Sequence, residues 1–292
     1  GGVGDGHLRP RAMIRGPGGR IVIGSEPPYG ELGGAMAFWD PAVNRTVENY
    51  RNIVTNQSIV SLAWEPGSGL IFGGSWNVGG GGTRPVENEA KFFAFDPATR
   101  RTVWQAALVP GAQKYPATTA SGGRVYTAVG SQLLVMDPRA LKVEQTIPLP
   151  GNQLDVALEG HPGGRLVGLT THGPYVVDPA SRTVVHSAKA PVPVNCGFAL
   201  VDGDVYFGSR AELWRYRIPA AVLASKGGSA ARSAGWQGVS ARPGIRPMFE
   251  EQSGGGRSGC GSLWIIADDR PGLDGHWVRS FPVRGGETCR FR

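Results

Sequence analysis

The sequence predicts an all-β chain folded as a β-propeller of four-stranded antiparallel blades, with five clear repeats and an incomplete sixth or seventh. Three observations predict it. With 46 Gly and 23 Pro among 292 residues, the chain turns too often for long helices, which excludes a helical bundle. An apolar strand, a Gly-led turn, a second apolar strand and a third that ends in Asp-Pro recur along the first three quarters. The Asp-Pro pairs at Asp40, Asp96, Asp137 and Asp178 lie 56, 41 and 41 residues apart, and about 40 to 45 residues is the length of one blade.

The first copy reads Gly19-Arg20-Ile21-Val22-Ile23-Gly24 and then Phe38-Trp39-Asp40-Pro41. The next pair Gly69-Leu70-Ile71-Phe72-Gly73 with Phe95-Asp96-Pro97, and Gly123-Arg124-Val125-Tyr126 with Met136-Asp137-Pro138. A fourth has Gly164-Arg165-Leu166-Val167-Gly168 with Val177-Asp178-Pro179, and a fifth, from Gly203 to Tyr216, has lost its Asp-Pro. Asp-Pro suits a turn between strands, because Pro presets φ and Asp bonds the backbone just beyond it. Inner strands are expected near residues 10–15, 58–64, 115–120, 154–159 and 195–200. The Asp-Pro turns then share one face, and the longest insertions, residues 26–33 and 76–90, share the other. Loops on a rigid scaffold are where ligand contacts usually sit.

Residues 1–226 are thus read as blades and residues 227–292 as an irregular Gly/Ser/Arg-rich tail with one or two strands, near 262–267 and 277–283. The tail lacks the repeat, so it is expected to lie outside the ring as coil, leaving the ring unclosed.

The net charge of +7 divides into +4 over residues 1–226 and +3 over 227–292. Charge so evenly spread predicts no nucleic-acid partner. No apolar run approaches the roughly 18–20 residues of a membrane span. The three cysteines, Cys196, Cys260 and Cys289, are odd in number and lack CxxC spacing, so neither a disulfide framework nor a zinc ribbon is expected. A Cys260/Cys289 bridge and two free thiols both stay open. The chain opens Gly1-Gly2-Val3 without a charged-then-apolar leader, leaving both a removed signal peptide and an upstream truncation open.

The face with the insertions gathers polar groups. His7, Arg9 and Arg11 lead into the first inner strand, Tyr29 lies in the first insertion, and Gln57 and Ser58 lead into the second inner strand. Trp76, Asn77, Glu87 and Glu89 come from the second insertion, with His172 and Arg210 on shorter loops. These are parts for β-elimination on a uronate. Arg9 or Arg11 would neutralise the carboxylate bidentately, and His7 or Tyr29 would move the proton. Trp76 would stack on the sugar, with Gln57, Glu89, His172 and Arg210 as further substrate contacts. Asp155, Asn195 and Glu159 weakly suggest a channel metal of the propeller-lactonase kind. No HExxH, GxSxG, phosphate loop or Cys/His cluster is present, so no metal or cofactor is assigned beyond an optional structural Ca²⁺.

The stretch from Gly4 to Met13, with Tyr29-Gly30, Gly33-Gly34-Ala35, Tyr50-Arg51-Asn52 and the run from Asn56 to Ala63, resembles propellers related to L-rhamnose-α-1,4-D-glucuronate lyases. Gly73-Gly74-Ser75 and Glu89-Ala90-Lys91 continue the likeness, which covers residues 4–219 and is specific in the first two blades. The resemblance implies a His/Tyr/Arg elimination site at the channel mouth, matched here by His7, Arg9, Arg11 and Tyr29. It also implies an acidic polysaccharide or oligosaccharide as partner, and hence a secreted or periplasmic protein. The alternative reading is a non-catalytic glycan- or protein-binding propeller, a scaffold of WD40/YVTN-like or quinoprotein-like kind.

Overall fold

Nineteen strands fill the chain from Arg9 to Arg217 in the order that the repeat predicts. A computed structural model describes residues 3–161, 164–223, 236–242, 245, 247–252, 262–266 and 272–279. The first blade comprises β1 (Arg9–Arg15), β2 (Ile21–Glu26), β3 (Ala35–Asp40) and β4 (Arg45–Arg51). The second comprises β5 (Ser58–Glu65), β6 (Leu70–Trp76), β7 (Phe92–Asp96) and β8 (Arg101–Ala106). The third has β9 (Ala117–Ser121), β10 (Arg124–Val129), β11 (Gln132–Asp137) and β12 (Lys142–Pro148), and the fourth β13 (Gln153–Gly160), β14 (Leu166–Thr170), β15 (Pro174–Asp178) and β16 (Thr183–Ser187). Among the described residues the fifth has three strands, β17 (Cys196–Val201), β18 (Asp204–Ser209) and β19 (Glu212–Arg217). Within each blade, strands pair antiparallel in chain order. This is a β-propeller, and each expected inner strand lies within two residues of an observed one.

The inner strands β1, β5, β9, β13 and β17 stand side by side in that order. β5 is buried almost throughout, whereas the outer strand β8 alternates exposed and half-buried residues. Apolar side chains fill the gaps between blades. Val22, Phe38, Ile59, Phe93 and Phe95 join the first blade to the second, and Phe72, Phe92, Tyr115, Leu134 and Met136 join the second to the third. Tyr126, Leu133, Leu158, Tyr175 and Val177 join the third to the fourth, and Val167, Val176, Val205 and Phe207 join the fourth to the fifth. The recurrent glycine of the second strand has a packing reason: at Gly73 a side chain would enter the Phe93 ring, and at Gly168 the Tyr175 ring.

The Asp-Pro turns all connect a third strand to a fourth. In each, the aspartate carboxylate accepts an N–H two residues on, from Ala42, Ala98, Arg139 and Ala180 at 2.8–3.0 Å. The turn closes through a left-handed residue, Asn44, Arg100, Leu141 or Arg182. A register shift recurs in the same pairing of all four blades, between Phe38 and Trp39, Ala94 and Phe95, Val135 and Met136, and Val176 and Val177. Such a bulge bends the outer strand and sharpens its twist.

The Gly-Arg that opens several second strands also has a partner. Arg124 and Arg165 pair with Asp137 and Asp178 of their own Asp-Pro turns, and Arg20 lies 3.9 Å from Asp40. Glu48 on β4 accepts from Arg20 at 2.7 Å and lies 3.6 Å from Arg100 of the next blade. Glu144 on β12 repeats the pattern with Arg124 and with Arg182 of the next blade, at 2.9 and 2.8 Å. These carboxylates tie neighbouring blades together at their rims.

The chain divides into two compact units, Gly1–Ser225 and Lys226–Arg292. The first ends in a short helix, α1 (Ala220–Leu223), whose Leu223 is buried with Ile218. The second unit holds more strand than expected. β20 (Trp236–Val239) pairs with β23 (His276–Arg279), and β21 (Met248–Gln252) with β22 (Ser262–Ile266). The tail is therefore not coil, and its described strands pair with one another. Their short segments, such as Met248–Gln252 and Ser262–Ile266, carry no regular apolar alternation and stand among Gly/Ser/Arg-rich residues. Cys260 and Cys289 lie outside the described residues, while Cys196 is an exposed thiol.

Two measurements test this architecture. Phe93, fully buried between the first two blades, is expected to destabilise the fold by about 3–5 kcal/mol when replaced by alanine, read as a lower denaturation midpoint. For Asp178, burial pushes the carboxyl up, but the Arg165 guanidinium and the Ala180 N–H outweigh it and hold it below the usual range. Its contribution is therefore present above the ordinary aspartate pKa of about 4 and is lost as pH falls through the depressed folded value. Asp178→Asn should flatten the acid limb of a stability-versus-pH curve.

Candidate functional site

The connections from second to third strands carry the two insertions, and these pack on each other. The Gly30 N–H donates to the Gly81 carbonyl at 2.9 Å, and the Gly80 N–H to the Glu31 carbonyl at 2.8 Å. The run from Gly79 to Gly82 is glycine because the first insertion lies directly on it. A side chain at Gly80 would strike the Pro28 carbonyl, and one at Gly81 or Gly82 would meet the Tyr29 ring. Tyr29 remains 78% exposed on this platform. The sequence expectation that both insertions occupy one face, opposite the Asp-Pro turns, holds.

His7, Arg9 and Arg11 are engaged within the first blade. The segment before β1 crosses that blade, with Thr46 Oγ1 donating to the Val3 carbonyl and Asn49 Nδ2 to the Asp5 carbonyl at 2.8 and 2.9 Å. His7 Nε2 donates to Asn49 Oδ1 at 2.9 Å, and its Nδ1 accepts from the buried Ser25 hydroxyl. Burial lowers the His7 pKa, and the bond to Asn49 opposes this less strongly. Arg11 grips the buried Glu26 carboxylate with Nε at 2.6 Å and Nη2 at 2.5 Å. Arg9 stands 3.8 Å from the same carboxylate and keeps 65% of its side chain exposed.

The second-blade residues form another network. Gln57 is fully buried, donates to the Glu89 carbonyl at 2.8 Å and accepts from Ser75 Oγ and the Lys91 N–H. Asn77 donates to the Glu87 carbonyl at 3.2 Å, and Glu89 Oε1 accepts the Gly111 N–H at 2.6 Å. Glu87 pairs with Lys91 at 2.9 Å. Around these side chains lies a hollow of about 530 Å³, lined by Val86, Glu87, Asn88, Glu89, Lys91, Ala107 and Gly111.

Trp76 closes β6 and bridges to Lys114, just before the third inner strand. The Lys114 ammonium sits 4.7 Å from the centre of the indole ring and 2.5 Å from Asp155. Lys114 was not among the expected site residues, although its place ahead of an inner strand matches that of Gln57. His172 is half-buried in the β14–β15 turn, its N–H on Thr170 Oγ1 at 3.2 Å. Arg210 is exposed in the β18–β19 hairpin, its N–H on Asn195 Oδ1 at 3.1 Å. The expected residues thus fall into separate groups by blade. Asp155 pairs with Lys114 and Asn195 with Arg210, and among the described residues no three His, Cys, Asp or Glu converge on a metal position.

If the platform depends on close backbone approach, Gly80→Ala should displace the first insertion. The expected result is a lower thermal midpoint and faster proteolysis within residues 26–33. Gly81→Ala, whose methyl meets only the exposed Tyr29 ring, should be milder.

No protein-family model matches the chain, and no curated protein matches it. Among solved structures, it is similar to the β-propeller domain of Myceliophteria thermophila Cps50 (Swd1), with 13% identity over 75% of this chain and 67% of that one and a TM-score of 0.53. It also aligns with Myxococcus xanthus glutaminyl cyclase at 14% identity over 70% and 86% of the two chains, with a TM-score of 0.44 that bears on neither fold nor activity. The first of these likenesses concerns the fold alone: the chain is a β-propeller.

Proposed function

We propose that this chain is a binding propeller, presenting its inserted-loop face to a glycan or protein, rather than a lyase. The observation that supports this reading is the internal use of the elimination chemistry. A general base needs an accessible lone pair, and the His7 Nδ1 lone pair is taken by the Ser25 hydroxyl. A carboxylate clamp needs an open guanidinium fork, and that of Arg11 is on Glu26. One face of Trp76 is covered by Lys114. What remains is an open hollow of about 530 Å³ lined by exposed residues such as Val86 and Asn88 and by the half-buried Glu87, Glu89 and Lys91, suited to holding a partner without transforming it.

One observation favours the lyase as a second reading: Arg9 and Tyr29 keep most of their surface exposed. A lyase would then run through Tyr29 as the proton-transfer group and Arg9 as the neutralising cation, on a glucuronate-containing acidic oligosaccharide. Incubation with a panel of uronate-bearing polysaccharides distinguishes the two. The binding propeller leaves ultraviolet absorbance flat, and Tyr29→Phe leaves affinity for an array-identified glycan within about twofold. A lyase builds up the absorbance of an unsaturated uronate and loses about 10² or more in turnover on the same substitution.

A further inference from the structure

The fifth blade differs from the other four in one respect that has a chemical consequence. Each of the others covers its third strand with a fourth, while the outer edge of β19 has no strand beside it among the described residues. The reason is local. Where the other copies have Asp-Pro, this one has Arg217-Ile218, followed by Pro219. Ile218 turns back to donate its N–H to the Gly203 carbonyl, and α1 then buries Leu223 beneath the blade. Every second residue of such an edge turns an N–H and a C=O outward, ready to pair with an extended chain.

The side chains say which chain. Leu213, Arg215 and Arg217 alternate on the exposed side of β19, at 77% exposure for Leu213 and with 56% and 73% of the two arginine side chains exposed. Both guanidiniums share one carboxylate on that face, Asp204, at 3.7 and 3.0 Å, an excess of one positive charge there, while Glu212 of the same strand accepts from Trp214 Nε1 on the opposite side. In the first and third blades the fourth strand carries an acid that pairs with an arginine at the start of the second strand, Glu48 with Arg20 and Glu144 with Arg124.

We infer that the open edge of β19 is a docking site for an extended acidic peptide of a partner protein, which adds as the missing fourth strand. Backbone hydrogen bonds to the edge would give affinity, and acidic residues at alternate positions would meet Arg215 and Arg217. This surface is separate from the inserted-loop face, so it stands whether that face binds or catalyses.

The test is fluorescence anisotropy with a labelled peptide of alternating glutamate and valine, titrated with the full chain. Saturable binding is expected, about tenfold weaker for the version with lysine in place of glutamate. Arg215→Glu with Arg217→Glu should reverse that preference, with circular dichroism checking that the variant is folded. A glutamate peptide N-methylated at every backbone position cannot pair as a strand by either edge and should not bind. Equal binding of the N-methylated peptide or of the lysine peptide would overturn the inference. So would slow amide exchange at Leu213 and Arg215 in the peptide-free protein, because the edge would then already be covered by this chain or a second copy.

Discussion

Each blade is a sheet with two apolar faces, and a sheet of four short strands cannot bury both by itself. The molecule depends on stacking these faces against one another. The second, third and fourth sheets are packed on both sides, and large side chains such as Phe93, Tyr115 and Tyr175 fill the gaps. Glycine at the recurrent second-strand position makes room for them. Because every gap is shared, stability is communal: no blade has a core of its own, and the repeat is a repeat of interfaces.

The same dependence governs the polar groups. Where inner strands crowd together, a hydroxyl or amide without a partner costs about 1–3 kcal/mol, so the chain supplies partners from the same or the neighbouring blade. Ser61 of the second blade meets the Tyr115 carbonyl and the Thr118 hydroxyl of the third, each at 2.8 Å. Tyr175 donates to Gln153 at 2.7 Å within the fourth. Gln57, Ser75 and Asn77 belong to this class. Their residue types suit ligand binding as well as cross-linking, and burial assigns them to cross-linking. His7 and Arg11 follow the same logic on the first blade.

Loss of one motif explains the asymmetry of the last repeat. Four Asp-Pro turns hold their carboxylates on backbone N–H groups and send the chain back along the sheet; the fifth copy lacks the pair and the chain leaves. A local turn thereby decides whether the chain returns at once along the sheet or leaves it. The arginines left on the open strand, facing a single aspartate, give that edge its chemical character.

The number of blades with the repeat, the inner strands within two residues, the Asp-Pro turns and the face that carries the insertions were legible in the sequence, because period, turn chemistry and strand alternation are local properties. The tertiary structure decided the rest. It paired the tail strands β20 to β23, whose short segments carry no regular apolar alternation, and it set the Gly79 to Gly82 run beneath Tyr29. It also placed Ser25 against His7, Glu26 against Arg11 and Lys114 over Trp76. Sequence names the side chains able to do chemistry, but which of them another side chain already occupies depends on pairings 15 to 38 residues apart, and those exist only once the sheets have formed and packed.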